Sequence, residues 1–368
     1  MAEPHPPFKF GFFPSLDALP GDSASLWRHG LVDSFFLSRG WFESMLAAGI
    51  NPKDSIAIAV LQSGGGDVLA LLPARFRDHR SLLWRRRRLT SLTDMYTCLF
   101  QPVLAPDVDV LTTARALGRQ LGNALVASDV IELDALDGEW RGLPAFENGL
   151  REAGFRTVRY LHFGNWFEEM AERSFDEYVA TRGGSLREIL RRRQRALVKR
   201  AAHFIVISSA DGLSRGISDY ERVYSLSWKP AEPHPRFHDH LMRKAARDGV
   251  LRLGLCYIDD RPIAAQVWVV SQRRATVLKL AHDQEFDRYS PGSVLLAHMI
   301  RHVVEHDKAT ELDFGRGDDA YKREWATRRR QRIGLLAANA RSSIGLAVLA
   351  RQAIGRCLAA IGRWTRPS

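Results

Sequence analysis

The strongest constraint on this fold is an order of elements that occurs twice. Ser55-Ile-Ala-Ile-Ala-Val-Leu-Gln62, the turn Ser63-Gly-Gly-Gly-Asp67 and Val68-Leu-Ala-Leu-Leu-Pro-Ala-Arg75 read as strand, tight turn and strand. Leu251-Arg-Leu-Gly-Leu-Cys-Tyr-Ile258, Asp259-Asp-Arg261 and Pro262-Ile-Ala-Ala-Gln-Val-Trp-Val269 repeat the pattern. A helix-like stretch follows each hairpin, Val110 to Leu125 and then Ser293 to His306. Each helix leads to a strand containing Glu-Leu-Asp, Val130 to Asp134 and Ala309 to Asp313. The tripeptide alone carries little weight; the shared order carries more. Two copies of one αβ unit are expected, in a mixed α/β (α+β) class that excludes all-α and all-β folds. At 368 residues the chain has room for about two domains.

The rest of the chain is organised around those copies. We expect an N-terminal extension over 1–30, one unit over 31–160, a second over 161–330 and a basic helical tail over 331–368. Arg159 to Trp166 reads as an aromatic strand joining the units, and Ser174 as the cap of a following helix. After Gly183-Gly184, Ser185 and Glu188 resemble a capping box. They open a helix to Arg200 with Leu186, Ile189, Leu190, Leu197 and Val198 on one face and arginines on the other.

Charge is unevenly placed. The net charge is +11, yet eleven Lys/Arg and a single acid lie after residue 320, so the body is close to neutral. Two basic runs stand out in that body, Arg85 to Arg88 and Arg191 to Arg200. In the tail, Arg341, Arg351, Arg356 and Arg363 fall within roughly 140° of one another on a helix. Such a face suits a polyanion or an anionic membrane surface, or simply water. Four glycines weaken any single long helix there.

Other chemistries find little support. Cys98, Cys256 and Cys357 are far apart, which argues against a metal knuckle or redox pair. His234, His238 and His240 sit in a Pro-rich stretch without a fixed carboxylate, and a solvated loop is the expected setting; no metal is expected. Neither a Gly-x-Ser-x-Gly elbow nor a P-loop is present. The start of the chain does not read as a secretory signal, and the longest apolar run is seven residues, Ile344 to Ala350. A cytoplasmic protein is expected, peripheral at the inner membrane surface if the tail binds lipid.

A long signature lies in the second copy: Lys279-Leu-Ala-His-Asp283, Tyr289-Ser-Pro-Gly292, Asp313-Phe-Gly-Arg-Gly-Asp318 and Tyr321-Lys-Arg-Glu-Trp325. With Phe163-Gly-Asn-Trp166 and the Arg-rich helix, it resembles the CelD-like, cellulose-biosynthesis-type branch of the GNAT acyltransferase superfamily. It is also similar to the duplicated-GNAT architecture of Fem-type aminoacyltransferases. The resemblance spans roughly residues 30–330 and implies two tandem GNAT-like domains, the C-terminal one holding the active cleft. It implies transfer from acetyl-CoA or another acyl-CoA to an amine acceptor, a small molecule or a glycan precursor such as an amino sugar.

The chemistry of that unit sorts the candidates. A strand feeding a turn and a helix N-terminus presents free amides to a pyrophosphate. Arg288, Ser290, Gly292 and Ser293 are the expected cofactor-binding residues, although Pro291 removes one donor. Acyl transfer needs a base for the amine and an acid for the thiolate. Asp283 is the first choice for base or acceptor binding, and Tyr289 or Tyr321 for acid. Asp313 ends the next strand, where ligand crevices form. Gly315 and Gly317 permit a turn that presents Asp318 and Lys322. Trp228 and Lys279 complete the expected substrate-binding set, Trp228 in an acceptor-side loop. Two other readings stand: an aminoacyl-tRNA-dependent transferase holding tRNA on the 185–200 helix, and a non-catalytic binder of anionic polymer or membrane.

Overall fold

A computed structural model describes residues 8–51, 53–81, 84–125 and 130–351. The N-terminal half contributes β1 (Lys9–Phe13), α1 (Ser23–Asp33), α2 (Arg39–Ser44), β2 (Ser55–Ile56), β3 (Ile58–Gln62), β4 (Val68–Leu72) and β5 (Ala74–Ser81). Next come β6 (Trp84–Ser91), β7 (Val103–Leu104), α3 (Val110–Ala124), β8 (Val130–Asp137), α4 (Leu143–Glu152) and the long β9 (Phe155–Glu169). The C-terminal half adds α5 (Phe175–Ala180), α6 (Gly184–Val198), β10 (His203–Ile207), α7 (Leu213–Ser225) and α8 (Phe237–Arg247). It continues with β11 (Leu251–Ile258), β12 (Arg261–Ser271), β13 (Arg274–His282), α9 (Pro291–Glu305), β14 (Glu311–Arg316), α10 (Lys322–Trp325) and β15 (Arg328–Asn339).

One sheet runs through both halves in the order β10-β11-β12-β13-β14-β9-β15-β8-β6-β5-β2. A smaller sheet, β1-β3-β4-β7, packs beside it on the N-terminal side. The mixed α/β class is therefore the observed one. The two βαβ units are β6–α3–β8 and β13–α9–β14, each with its strands parallel. The first differs from the sequence expectation. Its opening strand is the arginine run itself, Trp84–Ser91, whereas the expected hairpin β3–β4 belongs to the smaller sheet. Charge concealed a strand whose alternate residue, Leu89, is fully buried.

Three segment assignments need correction. Residues 9–13 are not a loose extension, because β1 pairs with β3 along its length. Position 160, the expected domain boundary, lies inside β9. The tail does not begin at 331: β15 occupies Arg328–Asn339, pairing with β9 along its whole length and with β8 on its other edge. Ile333, Leu335 and Ala337 face the core cluster, so burial overrides the basic composition. Four arginines of β15 are paired within the fold: Arg328 with Glu169, Arg329 with Asp318, Arg330 with Glu311 and Asp313, and Arg332 with Asp137. Residues 343–351 are helical, and Arg356, Arg363, Arg366 and Cys357 lie outside the described residues. Among the described residues no helix is long and apolar enough to cross a membrane.

Local signals account for the helices. Ser174 caps α5 with a full capping box, its hydroxyl accepting from Glu177 N and Glu177 accepting from Ser174 N. The Ser185–Glu188 pair does not act that way. Helix α6 starts at Gly184, and Glu188 binds Arg191 instead. Leu186, Leu190 and Leu197 bury one face of α6, leaving Arg187, Arg191, Arg192 and Arg195 exposed. His238 is likewise not in a solvated loop: it is buried in α8 against Tyr96 and Tyr220, and burial lowers its pKa to about 4.

Candidate active site

The site begins where two parallel strands part. β13 and β14 pair only from Arg274 to Thr276 and from Glu311 to Asp313. Gly315 marks the apex: its φ is +67°, and a Cβ there would lie 2.5 Å from the Val277 carbonyl oxygen. Only glycine allows that approach. Beyond it the chains diverge around two joined cavities of about 600 Å³ and 470 Å³, which share Lys229, Leu280, Asp319 and Tyr321. The β12–β13 register also slips, Val267 facing Lys279 and Trp268 facing Val277, so Leu278 is a bulge on the cleft wall.

Helix α9 aims its first turn at this cleft. Ser290 adopts the left-handed conformation, φ 47° and ψ 49°, which turns the chain sharply into the helix. Pro291 is not the lost donor that the sequence implied. It occupies the first helical turn, where an N–H would have no intrahelical partner. Gly292 and Ser293 line the larger cavity. The Gly292 carbonyl accepts from the buried Gln266 Nε2 at 2.9 Å, and a Cβ at 292 would stand 3.0 Å from His282 Nδ1. His282 itself contacts Asp287 at 2.7 Å and Trp228 at 4.7 Å between ring centres.

The expected site residues divide into two groups. Trp228, Ser290, Gly292, Ser293 and Tyr321 line the larger cavity, and Lys279, Tyr321 and Lys322 line the smaller. Burial pushes the Tyr321 phenol well above its usual pKa, so it stays protonated. Lys279 binds Glu232 at 2.5 Å and lies over the Tyr96 ring. Burial works against the Glu232 charge, but hydrogen bonds from Lys279, Tyr224 and Tyr96 prevail and hold its pKa to about 2. Lys322 is buried and donates to the Arg316 carbonyl at 2.6 Å, with Asp319 at 3.0 Å, so it fastens the 316–319 turn.

The second group falls outside the cavity linings. Asp283 faces away: it accepts from Arg261 at 2.6 Å and from Glu285 N at 3.0 Å, capping the turn before α9. Tyr289 packs near Phe286 with Arg288 over its ring, and Arg288 is exposed. Asp313 is buried beneath the cleft, accepting from Asn165 and Gly315 N at 2.7 Å each and pairing with Arg330 at 2.5 Å. Burial opposes its charge, and Arg330, Arg332 and Asn165 nevertheless hold its pKa below the usual range. Asp318 takes a bidentate clasp from Arg329, 2.7 Å on each nitrogen, plus Trp166 Nε1 at 2.9 Å. Arg329 lowers its pKa to about 2. Asp313 and Asp318 are thus neutralised by Arg330 and Arg329 of β15, and Asp283 by Arg261.

Sequence reading passed over Lys229 and His282. Lys229 lines both cavities and makes no ion pair among the described residues. Burial, with Lys279 nearby, lowers its pKa to about 8. An isolated Trp-Lys-Pro carries no motif, so only packing discloses it. His282 was one residue from the chosen Asp283, and strand alternation was the available signal: neighbours on a strand point to opposite faces.

Comparison with known proteins adds a family. Residues 184–323 match the model of an acetyltransferase (GNAT) domain. No curated protein matches the chain. Among solved structures, that of FemX superposes with a TM-score of 0.59 at 13% identity, covering 87% of this chain and 96% of that one. A conserved protein of unknown function from Bacteroides thetaiotaomicron gives 0.54 at 10%, covering 89% and 99%. The C-terminal domain of a candidate lysylphosphatidylglycerol synthetase from Agrobacterium fabrum gives 0.51 at 11%, covering 89% and 96%. These likenesses show a common fold. The segment that matches the acetyltransferase (GNAT) domain model contains β13, α9 and β14, the three elements that open the cleft.

Proposed function

We propose that this cleft transfers an acyl group from an acyl-CoA thioester to an amine. The observation that carries the reading is the splay of β13 from β14 with the first turn of α9 facing it. The first-turn amides, with Gly292 leaving room for close approach, suit the pyrophosphate of the donor. Main-chain amides at the Leu278 bulge suit the thioester oxygen as charge develops on it. The acceptor nitrogen attacks the thioester carbon; the C–N bond forms and the C–S bond breaks. Lys229, neutral above about pH 8, takes the amine proton, and the Tyr321 hydroxyl supplies one to the leaving thiolate. In this reading Lys229 replaces Asp283 as base, and Tyr321 rather than Tyr289 is the acid. Trp228 and Lys279 border the acceptor.

The acceptor class we favour is an amino sugar or other precursor of an envelope or extracellular polysaccharide, in keeping with the CelD-like signature, and the reaction is placed in the cytoplasm. A second reading draws on the FemX likeness and the exposed arginines of α6: an aminoacyl-tRNA donor held by phosphate contacts. Thermal shift separates the two. A ligand at ~100 times its dissociation constant adds about 2.7 kcal/mol. Stabilisation by coenzyme A and acyl-CoAs but not ATP supports the thioester donor, and thiol release with an amine acceptor completes it. An equal shift with ATP, or none, points to tRNA or to a binding role.

A further inference from the structure

A further cavity of about 1020 Å³ lies apart from the cleft. It lies on the polar face of β5, β6 and β8, and it shares Met95 and Arg316 with the smaller cleft cavity. Residues two apart build that face: Arg75 and Arg77, Arg88 and Thr90, Glu132 and Asp134. Of the residues between them, Leu89 and Leu133 are fully buried in the core and Phe76 partly so.

Donors on this wall outnumber their acceptors. His162 Nδ1 accepts from Ala135 N at 2.9 Å, which places the proton of the neutral ring on Nε2. Burial lowers the His162 pKa and favours that neutral form. Arg316 Nη2 stands 3.3 Å from the same Nε2, so two donors face each other. The Asp134 carboxylate is 3.7 Å from Nε2, beyond hydrogen-bond reach, and is engaged by the Tyr160 hydroxyl at 2.5 Å. Arg75 is 4% exposed, and its Nε has no partner although Asp54 and Thr93 take its other nitrogens. Arg236 and Arg316 make no ion pair among the described residues, whereas Arg88 is matched by Glu132 at 2.6 Å. Among the buried atoms of this wall Arg75 Nε lacks an acceptor and Asp94 Oδ2 lacks a donor. Half-buried Arg316, whose Nη1 donates to the Asp94 carbonyl at 3.3 Å, and exposed Arg236 carry charge that no carboxylate among the described residues matches.

We infer that this cavity binds a phosphate group, with Arg316, Arg236 and His162 Nε2 as its donors. Arg316 ends β14 and, with Met95, lines both cavities, so a molecule anchored there borders the transfer cleft. Calling that molecule the acceptor rests on the acyl-transfer reading; the anion site does not. A phosphorylated amine is then the substrate class, held by its phosphate while its nitrogen enters the cleft. Phosphate on a soluble nucleotide and phosphate on a lipid present the same oxygens to this wall.

Calorimetric titration of the full chain with inorganic pyrophosphate, at constant ionic strength, tests the site. Saturable binding is expected, weakened at least tenfold in Arg316→Gln and several-fold in Arg236→Gln, whose native side chain is exposed and tolerates change. Equal affinity in all three proteins, or no saturable binding to the native chain, overturns the proposal. A nucleoside diphosphate and phosphatidic-acid vesicles serve as further arms; whichever loses binding in Arg316→Gln supplies the phosphate. Arg316-dependent pyrophosphate binding without any acyl-CoA shift retains the site and removes the acyl-transfer reading. An acyl-CoA shift without pyrophosphate binding does the reverse.

Discussion

The two βαβ units share a topology and differ in what fills the space between their strands. In the N-terminal unit, β6 and β8 pair at Arg88–Thr90 and Val130–Glu132. The chain leaves β6, turns, and returns so that Phe100 N donates to the Ala135 carbonyl at 2.8 Å and bridges Leu136. Phe100, fully buried, closes the space beside β8. In the C-terminal unit nothing returns, and the divergence beyond Gly315 stays open to Lys229, Tyr321 and α9. The two units thus differ in filling: one wedge is packed with side chains, and its polar outer face lines the 1020 Å³ cavity. The other keeps an unfilled wedge at a helix N-terminus, where chemistry has room.

The most direct way to sharpen that contrast is to remove a proton donor from the open wedge. Tyr321→Phe is expected to lower kcat by about 10²- to 10⁴-fold, with the melting temperature nearly unchanged, in a thiol-release assay. Unchanged kcat would remove Tyr321 from the chemistry. Phe100→Ala attacks the closed wedge instead. It should cost about 3–5 kcal/mol in denaturant unfolding without creating a second acyl-CoA site. Acyl-CoA stoichiometry rising to two would break the comparison. At the apex, Gly315→Ala forces a left-handed alanine against the Val277 carbonyl, and a loss of at least about 1–3 kcal/mol is expected from the same unfolding measurement.

A pH profile gives the smallest and most specific effect. Lys229 is protonated below about 8 and neutral above it, so a base role makes the rate climb as pH rises through 8. Lys229→Ala should abolish that limb while leaving acyl-CoA affinity within a few-fold. A limb that survives in Lys229→Ala removes Lys229 from the base role.

Much of the frame was legible from residues alone, and the reason is periodicity. Strands β11 to β14 and helices α3 and α9 show apolar residues at strand and helix spacing, and each occurs where the pattern put it. Ser174 with Glu177 was readable as a cap because its partners are local. The arginine runs misled for the opposite reason. β15 takes its strand character from β9 and β8, far along the chain, and β6 from β8 as well as its hairpin partner β5; Arg332 is a charged residue whose partner, Asp137, is remote in sequence. The candidate residues divided similarly: Tyr321, at the start of α10, reached the cleft, while Asp313 and Asp283 turned to arginines.

The sequence by itself determined the class of fold, the strand–turn–helix that aims at a donor and the Gly315 turn, because backbone spacing and glycine's conformational freedom act within a few residues. Only the tertiary structure decided which carboxylates are neutralised, that Lys229 makes no ion pair among the described residues, and that Arg316 lines two cavities. Those outcomes depend on burial and on distances between distant segments, and electrostatic energies change steeply with both.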